Sequence, residues 1–155
     1  MIAVIQRVRE ATVATNGETI GRIGAGLLVL LGVAKGDDAS DAEYVAEKLA
    51  TLRCFADADG KMNRSIQEAD GAVLLVSQFT LLGDLTGGRR PGFDAAAPPD
   101  AAQGLYEDVA GRLRGKNVLV ETGRFGAHMQ VTLVNDGPVT FILDTQAKKR
   151  NKEPT

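Results

Sequence analysis

Cys54 and His128 are the single cysteine and the single histidine of a 155-residue chain. One cysteine cannot close an internal disulfide, and one of each makes no His/Cys zinc set, so neither a metal nor another cofactor is expected. Cys54 reads as a small core residue. No apolar run approaches the ~20 residues that a membrane-spanning helix needs, and the N-terminus lacks the basic start and small-residue cleavage pattern of a signal peptide. A cytoplasmic location without membrane contact is therefore expected. An excess of basic charge is missing too: 18 Lys and Arg against 20 Asp and Glu give a formal charge of −2. That argues against wrapping a long nucleic acid through its phosphates. Gripping one RNA end remains open, because a terminal nucleotide needs stacking surface and a few donors rather than a basic face.

With 44% hydrophobic and 25% charged residues, the chain can bury one core, and one domain is expected. Two stretches stand out. Val131 to Val134 and Val139 to Leu143 are β-branched runs separated by Asn135, Asp136, Gly137 and Pro138, which reads as strand, turn, strand and, in its plainest form, a hairpin. A Gly-Pro bond adds the option of a cis peptide, which would turn two carbonyls to one side as acceptors for an ammonium group. The second stretch is SQFTLL, Ser77 to Leu82, read as a continuation of the strand Ala72 to Val76 that looks buried on both faces. Ser77 and Gln78 interrupt the run either as an exit from the core or as a bulge that exposes backbone N–H groups.

SQFTL and NDGPVT, together with MIAVIQRV, GAGLLVLLGV, FADADGKMN, RRPGF and TGRFGAHMQV in the same order, closely resemble the D-aminoacyl-tRNA deacylases. The resemblance covers Met1 to about Leu143. It implies a mixed α/β fold, β/β/α layered with two main helices, working as a homodimer whose active site lies near the subunit interface. It implies hydrolysis of the ester of D-aminoacyl-tRNA, with the tRNA 3′ end as partner. The catalytic stretch would be Ser77, Gln78, Phe79 and Thr80, with the amides of Phe79 and Thr80 facing the developing oxyanion. Gly137 and Pro138 would select chirality, Arg7 would hold their turn, and Phe125, Gly126 and Met129 would form the pocket for the terminal adenine. Because glycine has no side chain to reject, glycyl-tRNA is expected to be cleaved as well.

The residues give their own reading beside the resemblance. Ile2 to Val8 alternates, placing Arg7 on the face of Ala3 and Ile5, where its guanidinium must either reach solvent or find fixed oxygen acceptors. Asn16-Gly17 marks a hairpin. Ser40 with Glu43 reads as a capping box before a helix with Val45, Leu49 and Leu52 on one face, and Asp100 with Gln103 as the cap of a second helix stopped by Gly115. The Gly- and Pro-rich segment 83–99 reads as a long surface loop of the functional kind. Strands are expected over Val118 to Val120 and over Ala127 to Val134, with His128 a strand residue facing as Gln130 and Thr132 do. A Ser-His-Asp arrangement is not expected, because this histidine has no reason to act as a base; Thr80 could attack or hold water. Arg89, Arg90 and the basic tail are either solvated or touch tRNA phosphates. The segment from Asp144 to Thr155 has no apolar period and is expected to be disordered. Two other readings stay open, an esterase or amidase for small molecules and a binding domain for RNA ends without turnover.

Overall fold

Asn16 and Gly17 both take positive φ, 50° and 76°, as a two-residue hairpin loop requires, and they join β1 (Ile2–Thr15) to β2 (Glu18–Ile23). The computed structural model describes residues 1–151. After β3 (Gly26–Gly32) come α1 (Ala39–Thr51) and a small hairpin of β4 (Phe55–Ala56) and β5 (Met62–Arg64). Then follow β6 (Ala72–Ser77), a 3₁₀ turn over Phe79–Leu82, and α2 (Pro99–Gly115). The chain closes with β7 (Leu119–Thr122), β8 (Gln130–Asp144) and α3 (Thr145–Arg150).

The main sheet runs β2-β1-β3-β6-β7, with β8 on the other edge of β1; β3, β6 and β7 are mutually parallel and the remaining pairs antiparallel. Alternation in β3 and β6 explains their unbroken apolar runs. Leu27, Val29, Val73 and Leu75 point to one face and pack with Val45, Leu49, Val109 and Leu113 of the two long helices. Leu28, Leu74 and Val76 point to the other face and meet Val8, Ala11, Val13 and Ile23, because β2 and the second half of β1 curl back over the sheet. The result is the expected mixed α/β domain in β/β/α layers. Each fully buried Leu or Val contributes about 1.5–3 kcal/mol, so both faces of this sheet drive folding.

Several boundaries differ from the sequence reading. The N-cap of α1 is Asp38, not Ser40, and the reciprocal box is Asp38 with Asp41, whose buried carboxylate accepts the Asp38 N–H at 3.0 Å. Helix α2 needs no side-chain cap, since Pro99 at its first position has no N–H to satisfy. Its Gln103 donates instead to Glu107. The helix runs through Gly115, and the left-handed residue that ends it is Asn117, at φ 61°. The SQFTLL segment leaves the sheet after Ser77 as the 3₁₀ turn, and β8 begins only at Gln130, so His128 precedes the strand.

The larger correction concerns the hairpin. Val131 to Val134 and Val139 to Leu143 do not pair with each other. Both halves of β8 lie end to end on the same neighbour, β1, with Gln6 opposite Thr140 and Val8 opposite Asn135. Asp136, Gly137, Pro138 and Val139 leave the register as a projecting corner, opposed by Arg7 alone.

The segment after Asp144 is ordered up to Arg150, contrary to the expected disorder; residues 152–155 lie outside the described residues. Asp144 caps α3 by accepting the Gln146 N–H at 2.9 Å. The Met1 ammonium donates to Thr145 Oγ1 and lies 2.7 Å from the Asp37 carboxylate. Three basic residues of this segment are engaged within the chain: Lys149 pairs with Asp41 at 2.9 Å, Arg150 with Asp144 at 3.5 Å, and Lys148 lies 3.9 Å above the Tyr44 ring. Burial alone would push the Asp41 carboxyl up, but the Asp38 N–H, Lys149 and Thr145 outweigh it and hold it below the usual carboxylate range. The same contact raises Lys149. Docking of α3 on α1 is thus fully supported above about pH 4 and lost as the pH falls through the lowered Asp41 value. At the alkaline end this support is lost as the pH rises through the raised Lys149 value. The Tyr44 ring resonances, followed by NMR, should stay constant from pH 5 to 9 and shift only outside that window; a transition at neutral pH would contradict this clasp.

Candidate active site

The parallel ladder between β3 and β6 ends at Leu31 opposite Ser77. The Gln78 N–H then donates to the Leu31 carbonyl at 2.8 Å and turns the chain away from the sheet. Gly32 makes this turn possible. A Cβ there would meet Leu82 Cδ2 at 2.5 Å, the Gln78 carbonyl oxygen at 3.0 Å and Leu81 Cβ at 3.1 Å. In the 3₁₀ turn, Leu81 N–H returns to the Gln78 carbonyl and Gly83 N–H to the Thr80 carbonyl. The amides of Phe79 and Thr80, at the first positions of the turn, are left without an acceptor among the described residues. Gln78 Nε2 donates to Thr80 Oγ1 at 3.0 Å and braces the turn from the side-chain side.

This turn forms one wall of a cavity of about 730 Å³. Ser77, Gln78, Phe79 and Thr80 share it with Phe125, Gly126 and Met129, so seven of the sequence-derived site residues converge. Met129 is held from two sides: its neighbour His128 gives its carbonyl to Thr15 Oγ1 at 3.0 Å, and the Arg124 N–H points at the Met129 sulfur at 3.4 Å. Phe125 leans on Tyr106 with ring centroids 5.9 Å apart. Phe79, 57% exposed, stands edge-on to Phe93 at 5.0 Å.

Phe93 and Tyr106 are cavity residues that the sequence reading does not name as such. Phe93 lies in the RRPGF stretch of the loop marked as functional, and that stretch was its available signal. Tyr106 is masked by its place on the apolar stripe of α2. Burial pushes its phenol up to about 12, with Thr122 and Arg114 pulling the other way, and its hydroxyl donates to the Leu75 carbonyl at 2.8 Å. It is a neutral donor at physiological pH. Among the described residues no carboxylate lines the cavity, and the titratable side chains on its wall besides Tyr106 are His128 and Lys35.

Arg7, Gly137 and Pro138 do not line the cavity of their own chain. Val131 does, and the five residues of strand from there to Asp136 span roughly 16 Å. Of the two readings of Arg7, fixed acceptors is the one realised: the side chain is 15% exposed, Nε donates to the Asp136 carbonyl at 2.9 Å and Nη1 to the Cys54 carbonyl at 2.6 Å. The Gly137-Pro138 bond is cis. Gly137 and Pro138 lie outside the paired register and are exposed.

Residues 4–144 match the family model described as D-Tyr-tRNA(Tyr) deacylase. The chain belongs to that family. It is 60% identical over 144 residues to the D-aminoacyl-tRNA deacylase of Symbiobacterium thermophilum, covering 93% of this chain and 95% of the relative. It is also 57% identical over 152 residues to that of Thermus aquaticus, covering 98% and 100%. Among solved structures, the c-Myc DNA unwinding element binding protein superposes with a TM-score of 0.87 at 41% identity, covering 93% of this chain and 98% of that one. The family is one of ester hydrolases, in keeping with a cavity that offers free amides and apolar walls. No helix among the described residues is long and apolar enough to cross a membrane.

Proposed function

We propose that this deacylase-family chain acts in the cytoplasm as a proofreading enzyme, cleaving D-aminoacyl-tRNA and glycyl-tRNA and sparing L-aminoacyl-tRNA. The observation that carries this reading is the pair of amides, Phe79 and Thr80, left unpartnered among the described residues at the wall of an apolar cavity that none of their carboxylates lines. A water oxygen attacks the ester carbonyl carbon, and negative charge gathers on the carbonyl oxygen. Two fixed N–H donors stabilise that charge without reorganising. The bond from the carbonyl carbon to the ribose oxygen then breaks; the ribose oxygen takes a proton, and the amino acid leaves as its carboxylate with the second proton passing to solvent. Apolar surface from Phe125 and Met129, beside the open position of Gly126, receives the terminal adenine, and the 2′-hydroxyl of that nucleotide orients the water. Positioning, not side-chain proton transfer, supplies the acceleration. His128→Gln should accordingly keep kcat within about threefold, whereas removal of a general base costs on the order of 100-fold or more; a loss on that scale would make His128 the base.

Selection by chirality is assigned to the Gly137-Pro138 corner, whose carbonyls take the α-ammonium and whose ring fills the space an L side chain would need. Since the corner lies away from the cavity of its own chain, a second copy must bring it there. Two features support a homodimer: the corner projects, and β8 beside it carries exposed apolar Val134, Phe141 and Ile142 along an edge that pairs with no strand among the described residues. Mixing the Gly137→Ala variant with a Gln78 variant should then restore activity in the hybrid, because one of its two cavities is assembled from intact parts; no restoration would place each site within one chain.

The deciding experiment compares cleavage of D-, L- and glycyl-tRNA with that of a free D-amino acid ester. Turnover of the D and glycyl forms alone is expected. Rapid cleavage of the free ester would favour a small-molecule esterase, and tRNA binding without turnover an RNA-end binding domain. Equal cleavage of L- and D-aminoacyl-tRNA would end the role given to the corner.

A further inference from the structure

Asn135 stands where β8 leaves its ladder, and its side chain does what a neighbouring strand does elsewhere. Oδ1 accepts the Val139 N–H at 2.7 Å, while Nδ2 donates to the Val139 carbonyl at 3.3 Å and to Thr140 Oγ1 at 3.1 Å. The partners fix which way the amide faces, since an N–H can only donate and a carbonyl can only accept. The two ends of the corner are therefore held separately. Before Gly137, Arg7 grips the Asp136 carbonyl. After Pro138, Asn135 grips both polar groups of Val139, whose buried side chain anchors that end.

We propose that Asn135 is a positioning residue for chiral selection: its amide, clamped on Val139 and Thr140, sets the direction in which the Gly137 and Pro138 carbonyls point. This rests on the reading of that corner as the chiral selector. Carbonyls aimed at an ammonium group must hold their direction, because a shift of an ångström opens the space denied to an L side chain.

Asn135→Asp tests the clamp without changing its shape. The acceptor for the Val139 N–H stays, but an oxygen replaces the donor facing the Val139 carbonyl, so attraction becomes repulsion there. The variant should remain folded, protect the Val139 amide from hydrogen exchange, raise KM for D-aminoacyl-tRNA more than it lowers kcat, and narrow the D-over-L ratio by about tenfold, the scale of a lost hydrogen bond or two. Asn135→Ala should narrow the ratio further and also expose the Val139 amide to exchange. Pro138→Ala is the control on the corner itself. If Pro138→Ala loses discrimination while both Asn135 variants keep the wild-type ratio, the positioning role of Asn135 is overturned and the corner stands. If Pro138→Ala keeps the ratio as well, the corner reading fails and the clamp has nothing to position. A uniform fall in kcat toward both substrates in the Asn135 variants, with the ratio intact, would reduce Asn135 to a structural residue.

Discussion

Gly137→Ala is expected to lose about 100-fold in kcat/KM toward D-aminoacyl-tRNA while the domain stays folded. Gly137 holds φ at 148°, a conformation L side chains rarely adopt, and a Cβ there would meet Val139 Cγ2 at 2.6 Å and the Val139 nitrogen at 2.8 Å. The second of these is backbone and cannot rotate away. The corner must change its path, at a cost of order 1–3 kcal/mol if it held its shape. Because Asp136 and Val139 are fastened on either side, the displacement falls on Gly137 and Pro138 themselves, and an ångström there is worth roughly two orders of magnitude in rate. Val139 belongs to neither of the two main apolar clusters, so the melting temperature should fall by only a few degrees. The measurement is single-turnover deacylation of D- and L-aminoacyl-tRNA beside a thermal melt. Wild-type kinetics would mean that the corner tolerates a side chain and does not contact the substrate.

Gly32→Ala should act on the other half of the site, lowering kcat by 10- to 100-fold with little change in KM for tRNA. The added methyl would push on the Gln78 carbonyl and Leu81 Cβ, and these move only if the whole 3₁₀ turn lifts from β3. Lifting it displaces the Phe79 and Thr80 amides from where charge develops, and removal of one such donor costs on the order of 100- to 1000-fold in other hydrolases. Phe125 and Met129 lie beyond β7 and are not pushed, so adenosine binding should survive. Overpacking of this kind also costs about 1–3 kcal/mol in stability. Steady-state kinetics with a denaturant titration separates the two effects; unchanged kcat in a destabilised variant would remove the amides from the reaction.

How far the sequence could be read depended on whether an element is decided locally. The Asn16-Gly17 hairpin, the apolar face of α1 and the buried run of β6 follow from neighbours in the chain, and all were legible. So was the convergence of Ser77 to Thr80 with Phe125, Gly126 and Met129, though only through resemblance, since periodicity alone does not bring β6 and the turn before β8 together. The failures share a cause. Turn residues between two β-prone runs imply a hairpin locally, but here β1 is long enough to pair with both runs, and tertiary pairing overrides the local signal. The segment after Asp144 looks disordered because it has no apolar face; it folds because Asp41, Tyr44 and Asp37 supply polar and aromatic partners from distant positions.

Since both flanks of the projecting corner are registered on one continuous strand, its length is not free to drift. Adding or deleting one residue between Asn135 and Thr140 would either break the bonds from Asn135 to Val139 or force one flank to slip, and in a two-residue repeat a single slip swaps inward and outward side chains along that entire flank. Variation at the tip can thus exchange side chains but not count, which makes the spacing from Asn135 to Thr140 a ruler cut by the sheet itself.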